Sequence, residues 1–334
     1  MLADWNGLMI AAVVNASIIL DKPDWLAMAK RAFTFIAHGM TKGDRLGHSW
    51  RDGRLLFPGL ASDYAAMIRA ALALYEATGE RPYLEHALSW QTAFDTHYAD
   101  QDTGWYYLSA DDASDLLLRP HSTQDDATPN PNAVAAQNLV RLAALTGDEK
   151  WREKADRLIE GILSATERNM FGHIALLNAL DLRLTGAEIV VTGKDSDQTV
   201  KTALKLPFVD RIVLRVADPS DLPASHPAQE KIKSAPSAVF VCIGERCSLP
   251  ITDPADMAAN AYTKELLMSM STNDRQLLES IDAALDRIES GKYGKCVHCG
   301  EPIQEKRLEA VPWARHCLRC QDLNERGMLT HDDE

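Results

Sequence analysis

Four cysteines near the C-terminal end of the chain have the spacing of a metal site. Cys296, Cys299, Cys317 and Cys320 form the pattern C-x2-C-x17-C-x2-C. Each C-x-x-C turn brings two sulfurs to about 2.3 Å from one ion, and two such turns complete a tetrahedron around Zn2+. Because the four thiolates fill every coordination position, the sequence predicts one structural zinc rather than a catalytic one.

The residues around these cysteines fit a closed zinc site. Gly300 supplies the backbone freedom that a C-x-x-C turn needs. His298 and His316 are adjacent to ligands, but the symmetric cysteine pairs favour a role for both histidines outside the coordination sphere. Four thiolates on a divalent cation leave a charge of about −2. The basic residues close enough in sequence to offset this charge are Lys292, Lys295, Lys306, Arg315 and Arg319.

The remaining two cysteines form a C-x4-C pair, Cys242 and Cys247, at the end of a predicted strand. Buried structural thiols are the favoured interpretation and a redox couple is the alternative. Four of the six cysteines lie in one short segment, which indicates metal ligation in a reducing compartment rather than a disulfide framework.

Composition and charge narrow the class of protein. The 334 residues include 46% hydrophobic and 25% charged residues, close to the averages of folded globular domains. A net charge of −13 repels phosphate backbones, so no direct DNA binding is expected. The longest apolar stretch, residues 8–20, falls short of the roughly 20 residues that span a bilayer, and no signal peptide precedes it. The sequence therefore predicts no membrane partner and a cytoplasmic location.

The first half of the chain has a repeated helical pattern. Three segments that begin at Asp21, Gly79 and Gly147 each place an aromatic residue before an alanine four positions later. The spacing of about 60 to 70 residues suits a helical hairpin plus its loop. Strand-like runs follow at 188–193, 211–216 and 238–243, which predict a small α/β segment.

A long helix is predicted from Asp253 to about residue 290. Met270, Leu277 and Ala284 repeat every seven residues, and Ile281 and Ile288 form the adjacent series. A single helix with an apolar seam must bury that seam against something. Self-association through this helix is therefore one expectation.

The residues from 251 onward resemble the DksA/TraR family, bacterial factors that act on RNA polymerase and carry a four-cysteine zinc finger. The segments that carry the resemblance are DAALDRIESGKYGKC, CGEPIQEKRLEAVPWARHC and DPADMAA. In DPADMAA, the residues Asp253, Asp256 and Ala258 match the family's coiled-coil tip motif D-x-x-D-x-A. The resemblance implies that Asp253 and Asp256 approach the catalytic magnesium region of RNA polymerase. A helix N-cap explains the same two residues equally well.

Residues 1–250 resemble a different family, in which a thioredoxin-like domain precedes an α/α six-hairpin toroid of the N-acylglucosamine 2-epimerase and glycosidase type. The similar motifs are WNGLMIAA at 5, PGLASDYAAMI at 58, RPHSTQDDATPNPNAVAA at 119 and VCIGERCSLPITDP at 241. The resemblance covers only part of that ring. In the DksA-like half, the ascending helix that should pair with residues 256–290 is missing. These truncations lead to two expectations. One is self-association through the open edge of the toroid, and the other is a recombination or gene-prediction fusion near Asp253.

These resemblances define the expected fold: a mainly α protein with an incomplete α/α helical-hairpin toroid, a small α/β segment, a long coiled-coil-type helix and a C4 zinc finger. The expected boundaries are 1–186, 187–250, 251–290 and 291–334.

Three functions remain open from the sequence. The first is a zinc-binding protein that regulates transcription through RNA polymerase. The second is a carbohydrate-processing enzyme whose loop residues act on a sugar-like substrate, although such residues also commonly cap helices and shape turns. The third is a non-functional fusion. The loop residues considered for the enzyme are Trp50, Asp63, Tyr64, Asp125 and Asp126.

Overall fold

The computed structural model describes residues 1–113, 116–166, 169–193, 196–206, 210–223, 226–235, 237–244, 246–252 and 272–325. The chain divides into two compact units, Met1–Ala261 and Tyr262–Glu334. Each unit has its own buried residues, and the two are described separately below.

Helical hairpins make up the first part of unit Met1–Ala261. The helices are α1 (Ala3–Ile19), α2 (Pro23–Gly39), α3 (Ala61–Thr78), α4 (Arg81–Tyr98), α5 (Pro131–Thr146), α6 (Glu149–Thr166) and α7 (Ile174–Thr185). Two short hairpins, β1–β2 (Thr41–Lys42, Arg45–Leu46) and β3–β4 (Ser49–Arg51, Arg54–Leu56), lie between α2 and α3.

Local sequence signals set the ends of these helices. Asn130 caps α5 by accepting a hydrogen bond from the backbone N–H of Asn132, and Pro131 occupies the first turn, where its missing N–H costs nothing. Gly79 and Gly147 end α3 and α5 at φ of 72° and 68°. This left-handed conformation is strained for other residues and stops the helix.

The helices pack in two layers. Helices α1, α3, α5 and α7 contact one another in succession, while α2, α4 and α6 each pack against the preceding helix of their own hairpin. The first layer is tight, because a Cβ added at Gly7 of α1 would lie 2.6 Å from the backbone carbon of Ala66 in α3. Successive hairpins in this arrangement confirm the predicted helical-hairpin architecture.

The core of this helical region is large and rich in aromatic residues. Tyr64 stacks on Phe94 with 5.5 Å between ring centroids, and Phe94 stacks on Tyr106 at 4.0 Å. Trp90 and Phe33 are 2% exposed and extend the same cluster. Such rings bury large apolar areas, so packing alone can hold this region together.

A four-stranded sheet follows the helices. Its elements are β5 (Ala187–Thr192), α8 (Asp197–Leu204), β6 (Arg211–Val216), α9 (Gln229–Ser234), β7 (Val239–Ile243) and β8 (Arg246–Cys247). The strand order is β6-β5-β7-β8, with β5 and β6 parallel and the other pairs antiparallel. This mixed sheet is the predicted small α/β segment.

A buried ion pair joins the sheet to the helices within this unit. The guanidinium of Arg141 in α5 lies 3.0 Å from the carboxylate of Glu76 in α3, and both side chains are at least 90% buried. Arg141 also donates to the carbonyl of Arg211, and Glu76 accepts from the backbone N–H of Val213. These hydrogen bonds offset part of the cost of burying both charges, while the Nε atom of Arg141 is buried without a hydrogen-bond partner among the described residues.

Cys242 and Cys247 form a disulfide, so the expectation of two structural thiols is wrong. The two residues are directly opposite each other in the β7–β8 hairpin, with 4.0 Å between their Cα atoms. Ile243 pairs with Arg246, and the next pair outward is then Cys242 with Cys247. Strand pairing therefore brings the two sulfurs together, which the spacing by itself did not require.

Unit Tyr262–Glu334 contains α10 (Thr272–Glu289), α11 (Glu305–Ala310) and α12 (Leu318–Glu325). Helix α10 is the C-terminal part of the predicted long helix. The start of that helix, including Asp253, Asp256 and Ala258, lies outside the described residues. In the part of the chain that the structure describes, no helix combines the length and apolar character needed to cross a membrane.

Candidate metal centre

The first cysteine pair sits in a tight backbone turn. The N–H of Cys296 donates to the carbonyl of Glu301 at 2.9 Å, and the N–H of Gly300 donates back to the carbonyl of Cys296 at 2.9 Å. Gly300 has φ of 71°, a left-handed conformation that suits glycine. These bonds fold residues 296–301 so that the sulfurs of Cys296 and Cys299 face the same point.

The second cysteine pair lies at the start of α12. The N–H of Gln321 donates to the carbonyl of Cys317 at 2.9 Å, so the first helical turn holds Cys317 and Cys320 on one side. A hydrogen bond from the N–H of Val297 to the carbonyl of Arg315 joins the two turns. Local backbone geometry therefore presents all four thiols to one position.

The sulfur positions match a tetrahedral zinc site. The Sγ atoms of Cys296, Cys299, Cys317 and Cys320 all lie within 4.8 Å of one another. The distance between the Sγ atoms of Cys299 and Cys317 is 3.8 Å. A tetrahedron with Zn–S bonds of about 2.3 Å has an edge of about 3.8 Å. The four cysteines therefore fit one structural Zn2+, as predicted.

The surroundings of the cysteines favour negative charge on the first thiol. Burial opposes ionisation of Cys296, but backbone hydrogen bonds from Cys299, Cys317 and His298 lower its pKa to about 6. Burial and hydrogen bonds to the other three cysteines raise the pKa of Cys320 to about 12. Without a cation, repulsion between neighbouring thiolates opposes ionisation of all four cysteines. The positive charge of Zn2+ allows all four to ionise.

The residues next to the zinc ligands include His316 and five basic residues. Burial, together with the charge of Arg315, lowers the pKa of His316, which keeps it neutral. The carbonyl of His316 accepts a hydrogen bond from Arg307. The five basic residues predicted to offset the charge of the site are all exposed: Lys292, Lys295, Lys306, Arg315 and Arg319.

The apolar core of the finger is very small. Its buried residues are Cys296, Ile303 and Cys320, with Leu308 partly buried beside them. A core with so little apolar area stabilises a fold only weakly, and small domains of this kind depend on a metal or a disulfide.

Two of the loop residues considered for an enzyme, Asp63 and Asp125, accept hydrogen bonds from backbone N–H groups. The carboxylate of Asp63 accepts from the N–H groups of Asp4 and Leu60 at 2.9 and 2.6 Å, which fixes the start of α3. Asp125 accepts from the N–H groups of Asn130 and Ala175 at 2.8 and 2.9 Å. These contacts favour the capping role that the sequence offered as the alternative for such residues.

The other three loop residues, Tyr64, Trp50 and Asp126, make different contacts. The hydroxyl of Tyr64 is buried and accepts from the N–H of Leu46, and Trp50 packs edge-on against Phe35. Asp126 is exposed, and its backbone N–H donates to the carbonyl of Thr128.

Sequence reasoning missed a histidine beside Asp63. The Nδ1 atom of His48 lies 3.0 Å from a carboxylate oxygen of Asp63. The hydrogen bond to Asp63 raises the pKa of His48 against the opposing effect of burial. Burial raises the pKa of Asp63, while the bonds from His48 and Leu60 lower it. His48 lies in the loop run GHSW at 47–50, and only the fold brings this loop to the start of α3.

The fold and the site together define a mainly helical protein of stacked hairpins that carries a C4 zinc finger. Residues 291–326 match the sequence model of the prokaryotic dksA/traR C4-type zinc finger. The RNA polymerase-binding transcription factor DksA of Caulobacter vibrioides is 39% identical over 82 residues, which cover 25% of this chain and 58% of that protein. The chain thus carries a zinc finger of the DksA/TraR type.

A second group of relatives matches most of the chain. Spermatogenesis-associated protein 20 of Rattus norvegicus is 30% identical over 277 residues, covering 77% of this chain and 35% of the relative. The chain therefore spans about a third of the length of the first curated relatives that it matches. Among solved structures, a GH76 α-mannanase of Bacteroides thetaiotaomicron gives a TM-score of 0.43 at 13% identity, covering 62% of this chain and 57% of that one.

Proposed function

We propose that this protein is a zinc-stabilised regulator that binds RNA polymerase through its DksA/TraR-type segment. The observation that carries the proposal is the C4 cluster with tetrahedral spacing inside the segment that matches the DksA/TraR finger. One relative over this segment, from Caulobacter vibrioides, is an RNA polymerase-binding transcription factor.

In this proposal the zinc has a structural role. It holds two backbone turns and the start of α12 together, so that the finger keeps one conformation despite its small core. The helical-hairpin region acts as the scaffold. The net charge of −13 makes a protein partner the favoured route to transcription, rather than direct contact with DNA.

The acidic tip is the second part of the proposal. Asp253 and Asp256, in the D-x-x-D-x-A pattern that also contains Ala258, would approach the catalytic magnesium region of the polymerase. Carboxylates are the ligands that such a hard cation prefers. We also propose a cytoplasmic location. Bacterial RNA polymerase acts there, and its reducing conditions keep the four zinc ligands from forming disulfides.

Binding to purified bacterial RNA polymerase tests both parts. We expect the zinc-loaded chain to bind, and an Asp253→Asn, Asp256→Asn double variant to bind at least about tenfold more weakly. An Asp332→Asn, Asp333→Asn double variant removes the same charge near the C-terminus and should bind as the wild type does. No binding by the zinc-loaded wild type would overturn the proposal, whereas equal binding of all three proteins would remove only the tip.

Self-association through the open edge of the helical region is a further part of the partner prediction. Helix α1 is apolar on all sides, and its Trp5 and Met9 are 63% and 62% exposed. A helix of this kind is normally buried, which supports a contact between copies. Light scattering after size exclusion should show a concentration-dependent dimer that a Trp5→Lys, Met9→Lys variant abolishes. A monomer at every concentration would contradict this part.

A further inference from the structure

The Cys242–Cys247 disulfide lies at the edge of the sheet in the first unit. Strand β8 is only two residues long and pairs with β7 on one side. The two cysteines face each other across this pair. The bond therefore closes a loop of four intervening residues, and so short a loop gives a disulfide the least entropy to remove from the unfolded chain.

Other contacts already hold this edge in place. The N–H of Ser248 donates to the carbonyl of Val241 at 2.9 Å, and the N–H of Val241 donates to the Ser248 hydroxyl at 3.0 Å. The ammonium of Lys231 in α9 donates to the carbonyls of Cys247 and Ser248 at 2.6 and 3.1 Å. None of these hydrogen bonds uses a sulfur atom, so none depends directly on the sulfur–sulfur bond.

The two cysteine residues differ in exposure. Cys242 is 1% exposed and belongs to the main hydrophobic core, beside Phe240. Cys247 is only partly buried against that core. A thiolate from solvent must reach one sulfur to attack it, so Cys247 is the accessible target and Cys242 the leaving group.

The same chain needs reduced cysteines elsewhere. Zinc binding requires thiolates at Cys296, Cys299, Cys317 and Cys320. In a compartment that keeps four thiols reduced, a disulfide is usually transient and takes part in redox chemistry. A structural role also explains the hairpin disulfide poorly, because its loop is short and its strand is held by other bonds.

We propose that Cys242–Cys247 is a reversible thiol–disulfide exchange site whose partner is a dithiol reductant that attacks Cys247. The thiolate of the dithiol forms a bond to Cys247 Sγ, and the Cys242–Cys247 bond breaks. Its electron pair leaves on Cys242 Sγ, which takes up a proton. The second thiol of the reductant then loses its proton and attacks its own sulfur in the mixed disulfide, which releases Cys247. Two electrons and two protons pass to the pair, and the dithiol becomes a disulfide.

Trapping the mixed disulfide in the wild type tests the direction of attack. The zinc-loaded full chain is treated briefly with glutathione, quenched in acid, alkylated and mapped by peptide mass spectrometry. We expect glutathione on Cys247 at least tenfold more often than on Cys242, with one zinc per chain retained. Equal labelling, or label on Cys242 alone, would overturn the proposal.

Two variants that each lose one cysteine of the pair provide a matched comparison. In Cys242→Ser the remaining Cys247 should react with oxidised glutathione at least tenfold faster than the remaining Cys242 does in Cys247→Ser. Circular dichroism and zinc content establish that both variants are folded. In the wild type, the rate of reduction by dithiothreitol should be unchanged by low urea. A rate that rises with urea as global unfolding does would instead show that the bond is inaccessible in the native state and would overturn the proposal.

Discussion

The helical region and the zinc finger reach a stable fold by different means. In the helical region, buried aromatic rings such as Tyr64, Phe94 and Trp90 form one continuous core with the first-layer helices. The hydrophobic cluster of the finger contains, among the described residues, Cys296, Ile303 and Cys320 as its buried members, and two of these three are zinc ligands. Apolar burial can therefore stabilise the first region alone, whereas the second depends on its metal. The four predictions below test this difference, in order of expected effect.

Removing zinc should have the largest effect and should be confined to the finger. Structural zinc contributes roughly 10–16 kcal/mol in small fingers at neutral pH. We expect Cys299→Ser to abolish stoichiometric zinc and amide protection over residues 294–325, as measured by elemental analysis and hydrogen exchange. Protection in the helical region should persist. Cys247→Ser serves as the control and should retain zinc; loss of protection in both regions of Cys299→Ser would show that the two are not independent.

Replacing a buried aromatic residue should destabilise the helical region and leave the zinc finger intact. Trp90 is 2% exposed, and its replacement by alanine should lower the free energy of unfolding of the helical region by roughly 3–5 kcal/mol. Urea unfolding followed by circular dichroism measures this change, and zinc content should stay at one per chain. Trp5→Ala, at a 63% exposed position, should cost far less. Loss of zinc from Trp90→Ala would show that the zinc finger depends on the helical core, which would contradict this difference between the two regions.

Helix capping should contribute a smaller and local part of the stability of the helical region. The Asn130 side chain accepts from the N–H of Asn132 at the start of α5. Asn130→Ala should cost at least about 1 kcal/mol, because the buried amide also donates to Ser122 Oγ and to the carbonyl of Gln124, and hydrogen exchange in the first turn of α5 should be faster. Asn178→Ala, at an exposed position inside α7, should leave stability nearly unchanged. Equal effects of the two substitutions would argue against the cap.

The His48–Asp63 pair should give the smallest effect, visible as a pH dependence. The pKa of His48 is raised in the folded state from 6.5, so the unfolded chain loses this proton first. The stability from the pair is fully present below pH 6.5 and is lost as the pH rises through the raised pKa. The difference in unfolding free energy between wild type and His48→Gln should therefore shrink above pH 6.5. A difference that grows with pH would contradict this assignment.

Sequence reasoning was strongest where a feature depends on neighbours along the chain. Helical hairpins follow from apolar periodicity, and the start of α5 follows from Asn130 and Pro131. The capping role of Asp63 and Asp125 stayed one of two readings, because it depends on N–H groups brought from other segments, such as those of Asp4 and Ala175. His48 was missed for the same reason.

The two sets of cysteines show where the sequence by itself suffices. The zinc ligands lie in two C-x-x-C turns whose local backbone geometry fixes each pair, so their spacing determined the metal, its number and its structural role. The bond between Cys242 and Cys247 was decided only by tertiary structure. Its formation depends on the register of β7 against β8 at the edge of a sheet, and a shift of one residue would turn the two side chains to opposite faces.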